Sequence, residues 1–599
     1  MKLNKFLLSA IAAASLTACS DSPEIVDNNK GHWNADGTGY VSLSISMPDN
    51  VGSKGSRATN DTFVKGDDKE YVVNNATLVI FSGNDGDKEG AYTLEAAYNL
   101  PLKFQTTGND NQQIISTAKI TQKINQIGKA NAKALVILNL PSKLTLVDND
   151  LKYDGTSYIG KTFADFQALK SELEVDVAKG FTMTNAPLTT GKSGATVPSS
   201  AATTTLATIN KKNIKPTAEE AEQNTAATIY VERSVAKVTV TKSSTASDKI
   251  EGTTNIKYSI KGFDLDNTNT TSFIVRNADE TATTWYKLKS NSNLVNGDDK
   301  YRFIGVSPVD GTSEESKKLY RTYWAKDPNY DNTTTAINSS SSTQDGEGHD
   351  RFVGIDKPKY CMENTFDVAH QTQVNTTRAI LRVQMYKNGE TAGKTYYMYN
   401  NDVNTFDSET DFNTNAVTTA NKLTAVLAGG KKVASIALED AKDESGNKIA
   451  GYKQVQSVTF EGETSSKTAG DAFIAIKNYF GKITVYTDGY AYYPVLIKHF
   501  GDQLTPWNEK DDKKEWTTQP SAGGIDQIYP TTNRDANYLG RYGVVRNNWY
   551  ELSVNKVMRP GSPVIDTPKN TPDDELNSYI SVSINILSWA KRKQDVDLQ

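Results

Sequence analysis

"YVSLSISMP" (Tyr40–Pro48) and "YISVSINIL" (Tyr579–Leu587) lie near opposite ends of a 599-residue chain, yet each opens on Tyr and then alternates apolar with small polar residues. Val41, Leu43, Ile45 and Met47 of the first correspond to Ile580, Val582, Ile584 and Ile586 of the second. A period of two puts each apolar set on one face of a β-strand. Comparable runs recur between them: 75–81, 132–140, 180–185, 229–240, 256–265, 376–386, 394–399, 453–460, 482–487, 491–500 and 548–554. They are rich in β-branched and aromatic residues and bounded by Gly, Asn, Asp and Pro. One helix stands out at 162–173, with Thr162 as its cap and Phe163, Phe166, Leu169 and Leu173 on one face. Many irregularly spaced strands and few helices predict a mainly β protein of two tandem β-sandwich domains, 58–275 and 276–587. No fixed-period repeat supports a solenoid or propeller.

Composition narrows the class. Hydrophobic residues make up 37%, Tyr (29) outnumbers Phe (18), and the net charge is −5. Mean hydropathy is −0.55. Such a chain suits strands with one face on a core and the other in water. Mild acidity without a basic block gives no reason to expect a nucleic-acid partner.

At the N-terminus Lys2 and Lys5 precede an apolar run, Phe6 to Ala14, followed by "LTAC" (Leu16 to Cys19). This is a secretory signal, too short to span a bilayer. Its ending resembles the bacterial lipobox, in which the Cys, here Cys19, becomes the lipidated first residue; 1–19 is thus a lipoprotein signal peptide. Cys361 then has no intramolecular partner, and reads as a small buried hydrophobe. Residues 20–38 look like a polar tether. After the strand at 40–47 comes "DNVGSKGSRATND" (49–61), an exposed loop open to proteolysis. Polar stretches at 193–208 and 332–348 read as surface loops.

Catalytic and ligand motifs are weak. "APLTTGKS" (186–193) has the last three residues of a phosphate-binding loop, but Ala186 replaces its first Gly and Gly194, Thr196, Val197 and Pro198 cannot open a helix. "DGDKEG" (85–90) offers alternate carboxylates, but the twelfth position is Ala96 rather than Glu. His32, His349, His370 and His499 are scattered, with no metal-ligand spacing. The expectation is no enzyme, no metal and no cofactor.

A sandwich that loses a strand exposes unpaired backbone and an apolar floor, and so recruits another strand. Applied copy after copy, such a contact does not close and yields a fibre. The chain resembles the fimbrillins of Bacteroidales, which build the type V pilus, and most of all the shaft subunit of short fimbriae. The resemblance rests on the lipobox, "YVERSVAKVTV" (230–240), "YCMENTFD" (360–367) with "NTTRAILRVQMY" (375–386), and "RNNWYELSV" (546–554) followed by "GSP" (561–563).

This resemblance implies transthyretin-like sandwiches and a life history. The precursor is lipidated at the outer membrane, and a trypsin-like protease then removes residues 20–57 as a propeptide that includes the strand Val41, Leu43, Ile45, Met47. The only Arg in the loop is Arg57, placing the cut between Arg57 and Ala58, with Lys54 nearby. The subunit then polymerises head to tail with itself, alongside tip and anchor subunits, into an extracellular fimbrium that supports adhesion and biofilm formation. The replacement strand is C-terminal. The family pattern favours the tail 588–599, with Trp589, Val596 and Leu598 as anchors, while alternation favours 579–587. A non-polymerising surface lipoprotein that binds glycans or host proteins, and a tip or anchor subunit, are the alternatives.

Overall fold

The computed structural model describes residues 25–27, 31–46, 66–101, 117–189, 204–253, 255–277, 303–306, 319–322, 325–328, 337–338, 340, 342–344, 348, 350–365, 370, 372–427, 431–498, 542–570, 580–588 and 591–592. The chain is mainly β, as the sequence predicts.

The first sandwich uses β1 (Thr38–Ser46), β2 (Ala76–Gly83), β3 (Thr93–Asn99), β4 (Thr117–Asn125), β5 (Asn131–Leu138), β6 (Met183–Asn185) and β7 (Thr225–Arg233), hydrogen-bonded in the order β3-β2-β5-β6-β7-β1-β4. The path folds over on itself, because Leu78, Ile80 and Val136 from one end share a core with Val41, Leu43, Ile120 and Ile124 from the other. The outer faces of β2 and β5 carry Val79, Phe81, Leu135 and Ile137 under helix α1 (Phe163–Gln167). Phe81 meets Phe163 and Phe166 edge to face at 5.3 and 5.8 Å.

Thr162 caps α1 as expected, its Oγ1 accepting the Asp165 N–H at 3.1 Å. The helix nevertheless ends at Gln167 rather than near 173. Lys170 and Ser171 are drawn into antiparallel pairing with Phe273 and Ser272, which forces extended backbone. Leu169 and Leu173 are still buried.

β8 (Val235–Lys242) follows β7 after the single residue Ser234 and starts the second sandwich. One sheet runs β10 (Lys359–Met362), β8, β17 (Asn548–Val557), β18 (Ile580–Ser588), β19 (Lys591–Arg592); the facing sheet is β9 (Ile256–Asp266), β11 (Arg378–Lys387), β16 (Tyr490–Leu496). Their core holds Val238, Val240, Phe263, Leu381, Val383, Tyr493, Tyr550 and Leu552. The two cores therefore change over at Ser234 rather than near residue 275. β8 and β9 are needed to close the second core, and Ile274 and Val275 return to the first domain.

A further sheet inside the second domain joins β12 (Tyr396–Tyr399), β15 (Ile483–Tyr486), β14 (Lys448–Phe460) and β13 (Val433–Lys442), with α3 (Glu409–Leu427) and α4 (Asp471–Phe480) packed on it. The period of two in β12 serves two cores at once. Tyr396 and Met398 enter the sandwich, whereas Tyr397 and Tyr399 pack with Phe412 and Phe480 beneath the helices.

Candidate strand-exchange groove and domain junction

β1 is an internal strand. It runs parallel to β7, from Ser42 opposite Thr225 to Ser46 opposite Tyr230, and antiparallel to β4, from Thr38 opposite Asn125 to Ser46 opposite Thr117. Val41, Leu43 and Ile45 are completely buried, and Trp33, just upstream, joins the same core. Gly39 lets that indole in, since a Cβ there would lie 2.9 Å from the ring. Burying these four side chains is worth about 6–12 kcal/mol gross, at about 1.5–3 kcal/mol each.

The opposite face of β1 is covered too. Ser42 is fully buried, and helix α2 (Ala218–Gln223) packs across β1 and β4. Thr217 caps α2, its Oγ1 accepting from the Glu220 N–H at 3.3 Å.

β18 lies antiparallel to β17, with Ile584 opposite Leu552 and Val582 opposite Val554. The chain then turns back, pairing Leu587 with Lys591 and Ile586 with Arg592. Segment 579–587 is thus largely a strand of the second sandwich. The two sheets repeat one order of neighbours: β6, β7, β1, β4 and β10, β8, β17, β18 each read antiparallel, parallel, antiparallel. By neighbour order the counterpart of β1 is β17, so the likeness of 40–47 to 579–587 is one of pattern rather than of place.

A buried ionic cluster ties the domains together. Glu70, on the turn Asp68–Tyr71, meets Lys237 of β8 at 2.6 Å and accepts a hydrogen bond from the Tyr360 hydroxyl. Burial, then the neighbouring Glu70, pushes the Tyr360 hydroxyl far above its ordinary pKa. Lys237 also lies 3.9 Å from the Trp549 ring centre, a cation–π contact, and Trp549 Nε1 donates to Thr239 Oγ1 at 2.8 Å. Arg233 sits over the Tyr71 ring at 4.4 Å. Beside these, Arg276 pairs with Glu232 at 3.3 Å and with Glu363 at 3.8 Å, and Arg546 pairs with Glu363 at 3.4 Å. The side chains of Arg276, Glu232, Glu363 and Arg546 are at most 1% exposed. The sequence stretches 230–240, 360–365 and 546–554, far apart along the chain, meet here.

Residues 527–595, a span that includes β17, β18 and β19, match the family described as Major fimbrial subunit protein type IV, Fimbrillin, C-terminal. The C-terminal part of the chain is thus similar to that of the fimbrillins. No curated protein matches it. Among solved structures, it is similar to a cell adhesion protein of Parabacteroides distasonis at 12% identity, over 93% of this chain and 99% of that one, with a TM-score of 0.33. The tip fimbrial protein Mfa3 of Porphyromonas gingivalis, truncated at its C-terminus, matches at 10% identity over 92% and 100%, TM-score 0.26. A fimbrial assembly protein of Parabacteroides distasonis matches at 11% identity over 59% and 100%, TM-score 0.22.

Of the residues singled out from sequence, the fold brings Val41, Leu43 and Ile45 together in one core. Met47, Cys19, Arg57, Ala58, Trp589, Val596 and Leu598 lie outside the described residues. "DGDKEG" forms a turn in which Asp87 accepts the Asn84 N–H at 2.6 Å. Its Glu89 accepts from the Thr205 and Leu206 N–H groups at 2.9 and 2.8 Å, and burial raises its pKa. Among the described residues no group of three or more His, Cys, Asp and Glu could hold a metal ion, and no helix is long and apolar enough to cross a membrane.

Cys361 lies buried in the second core, which pushes its thiol pKa up to about 12. A thiol reacts as the thiolate. The native protein should therefore resist iodoacetamide at pH 8 while urea-unfolded chain is fully alkylated at this position, as read by mass spectrometry. Fast native labelling would mean that the core around β10 opens readily.

Proposed function

We propose that this chain is a fimbrillin and a structural subunit of a fimbrial shaft, exported as a lipoprotein on Cys19 and activated by cleavage between Arg57 and Ala58. The cut separates residues 20–57, including Trp33 and β1, from the rest of the chain. It detaches the subunit from its lipid and leaves β1 held only by non-covalent contacts. A C-terminal strand of a second copy then takes the vacated place beside β7 and β4. The observation that carries this reading is the complete burial of Val41, Leu43 and Ile45 in a strand upstream of the Arg57 loop. A groove that loses them must be refilled with matching alternation, because a one-residue slip turns the apolar set outward.

The donor lies within 579–599. The tail 588–599, with Trp589, Val596 and Leu598, leaves β18 nearly undisturbed when it reaches a neighbour. Segment 579–587 copies the lost alternation but must leave β17. The polymer, with tip and anchor subunits, stands at the cell surface and supports adhesion and biofilm formation. The reading is of a scaffold rather than an enzyme.

Limited trypsin treatment of delipidated precursor, followed by mass spectrometry and denaturing gels run without heating, tests this. Wild type should lose residues before Ala58 and form a multimer ladder, and Arg57→Gln should do neither at that position. A chain ending at Leu587 should be cut but stay monomeric if the tail is the donor. Cleavage of wild type that leaves a monomer with β1 still bound would point instead to a surface lipoprotein that binds glycans or host proteins.

A further inference from the structure

The groove around β1 is two-sided. On one side Val41, Leu43 and Ile45 enter the core; on the other, Ser42 is completely buried and Ser46 is 8% exposed, while Ser44 is only half-buried. The cover over that second side is α2. The chain pairs with β1 at Lys215, opposite Tyr40, and again at Thr225, opposite Ser42. Between these points it leaves the sheet as α2, and the core shared by β1, β4 and β7 contains no residue of that helix. α2 therefore crosses the face that Ser42 occupies. Ala221 is fully buried and Ala218 half-buried, three residues apart and so on one helix face. Among the described residues the Ser42 hydroxyl has no hydrogen-bond partner.

We propose that α2 acts as a size gauge on the strand beneath it, making position 42 a specificity determinant for whatever strand occupies the groove; this rests on the strand-exchange reading. The site demands smallness and makes no use of polarity. A side chain larger than Ser overpacks against α2, whereas loss of the hydroxyl removes a buried group that has no partner among the described residues. A strand that fits alternates large apolar residues with small ones, and the segment that does so within a second copy is Tyr579–Ile586. In the register that places Val582 where Leu43 stands, Ser581 falls under α2. The tail, entered with Leu598 where Leu43 stands, would place the charged Asp597 there, and with Val596 in that place it would put Asp595 there.

The test is exchange of fluorescent peptides spanning residues 38–47 into trypsin-cleaved, full-length wild-type protein, followed by anisotropy. Ser42→Ala should bind as tightly as Ser42 or up to about tenfold more tightly. Ser42→Leu should bind at least about tenfold more weakly, while Ser44→Leu stays within about threefold. A 579–587 peptide should enter, and its Ser581→Leu form should show the same loss as Ser42→Leu. Equal binding of the Ser and Leu forms at position 42 overturns the gauge. If no peptide enters, native sequence included, the exchange reading fails instead. The gauge is then decided by thermal unfolding of uncleaved chains: a clearly lower Tm for Ser42→Leu than for Ser44→Leu supports it, and equal values overturn it.

Discussion

Leu43→Ala is expected to cost the uncleaved chain about 2–5 kcal/mol, and to cost the assembled subunit nothing. Leu43 is completely buried between two layers of the first sandwich, so truncation removes its transfer energy and leaves a cavity that Val41, Ile45, Leu78 and Ile120 cannot collapse to fill. Urea denaturation of the precursor reads the loss directly. The decisive comparison is with polymer formed after cleavage at Arg57, in which a wild-type donor strand has replaced the substituted one. Polymer from the variant should then unfold at the wild-type urea concentration. If it carries the same deficit as its precursor, β1 never leaves, and the subunit assembles by some other contact.

Glu70→Ala is expected to destabilise the chain by about 3–5 kcal/mol, both before and after cleavage. Removing this carboxylate strips Lys237 of its 2.6 Å partner inside the protein and takes the acceptor from the Tyr360 hydroxyl. The remaining ammonium is 3% exposed and has been withdrawn from water. The Trp549 ring and the more distant Asp67 remain beside it. Replacing both ends by apolar residues of similar size, Glu70→Leu with Lys237→Met, should recover most of the loss, because the cost lies in the uncompensated charge. Urea denaturation of the two single variants and the double variant makes this a thermodynamic cycle. A Glu70→Ala penalty below about 1 kcal/mol would place the pair with exposed ion pairs in its energetics and contradict its burial.

Alternation, or an unbroken β-branched and apolar run as in β2 and β5, made most of the sandwich legible in the sequence. β1, β2, β5, β9, β11 and β17 all pair a buried apolar set with turn residues at their ends, and each was visible for that reason. β3 was not, because "TLEAAYN" mixes Ala with single large residues and shows no clean period. α3 was hidden by its Thr and Asn, which are weak helix formers. The spacing of Phe412, Ala416 and Ala420 was the signal available for it, and all three are buried beneath the helix.

The groove was half legible. Its apolar side follows from sequence; its other side does not, because alternating serines suggest a solvent-facing edge. Only the return of α2, about 180 residues later, buries Ser42. The junction was legible only as three suggestive motifs. Glu70 sits in "DDKEY", a stretch no different in composition from a solvated surface turn, and only the fold sets it against Lys237 and Tyr360.

The run from Thr225 to Lys242 crosses from one sandwich to the other with Ser234 as its only interruption. A strand lying in the β1 groove is hydrogen-bonded alongside β7, and β7 continues as β8 into the sheet that holds β17 and β18. A pull along that axis is carried by covalent backbone between the domains. At either end it meets rungs that lie across the direction of force and share it, as a lap joint does, instead of parting one after another as in a zip.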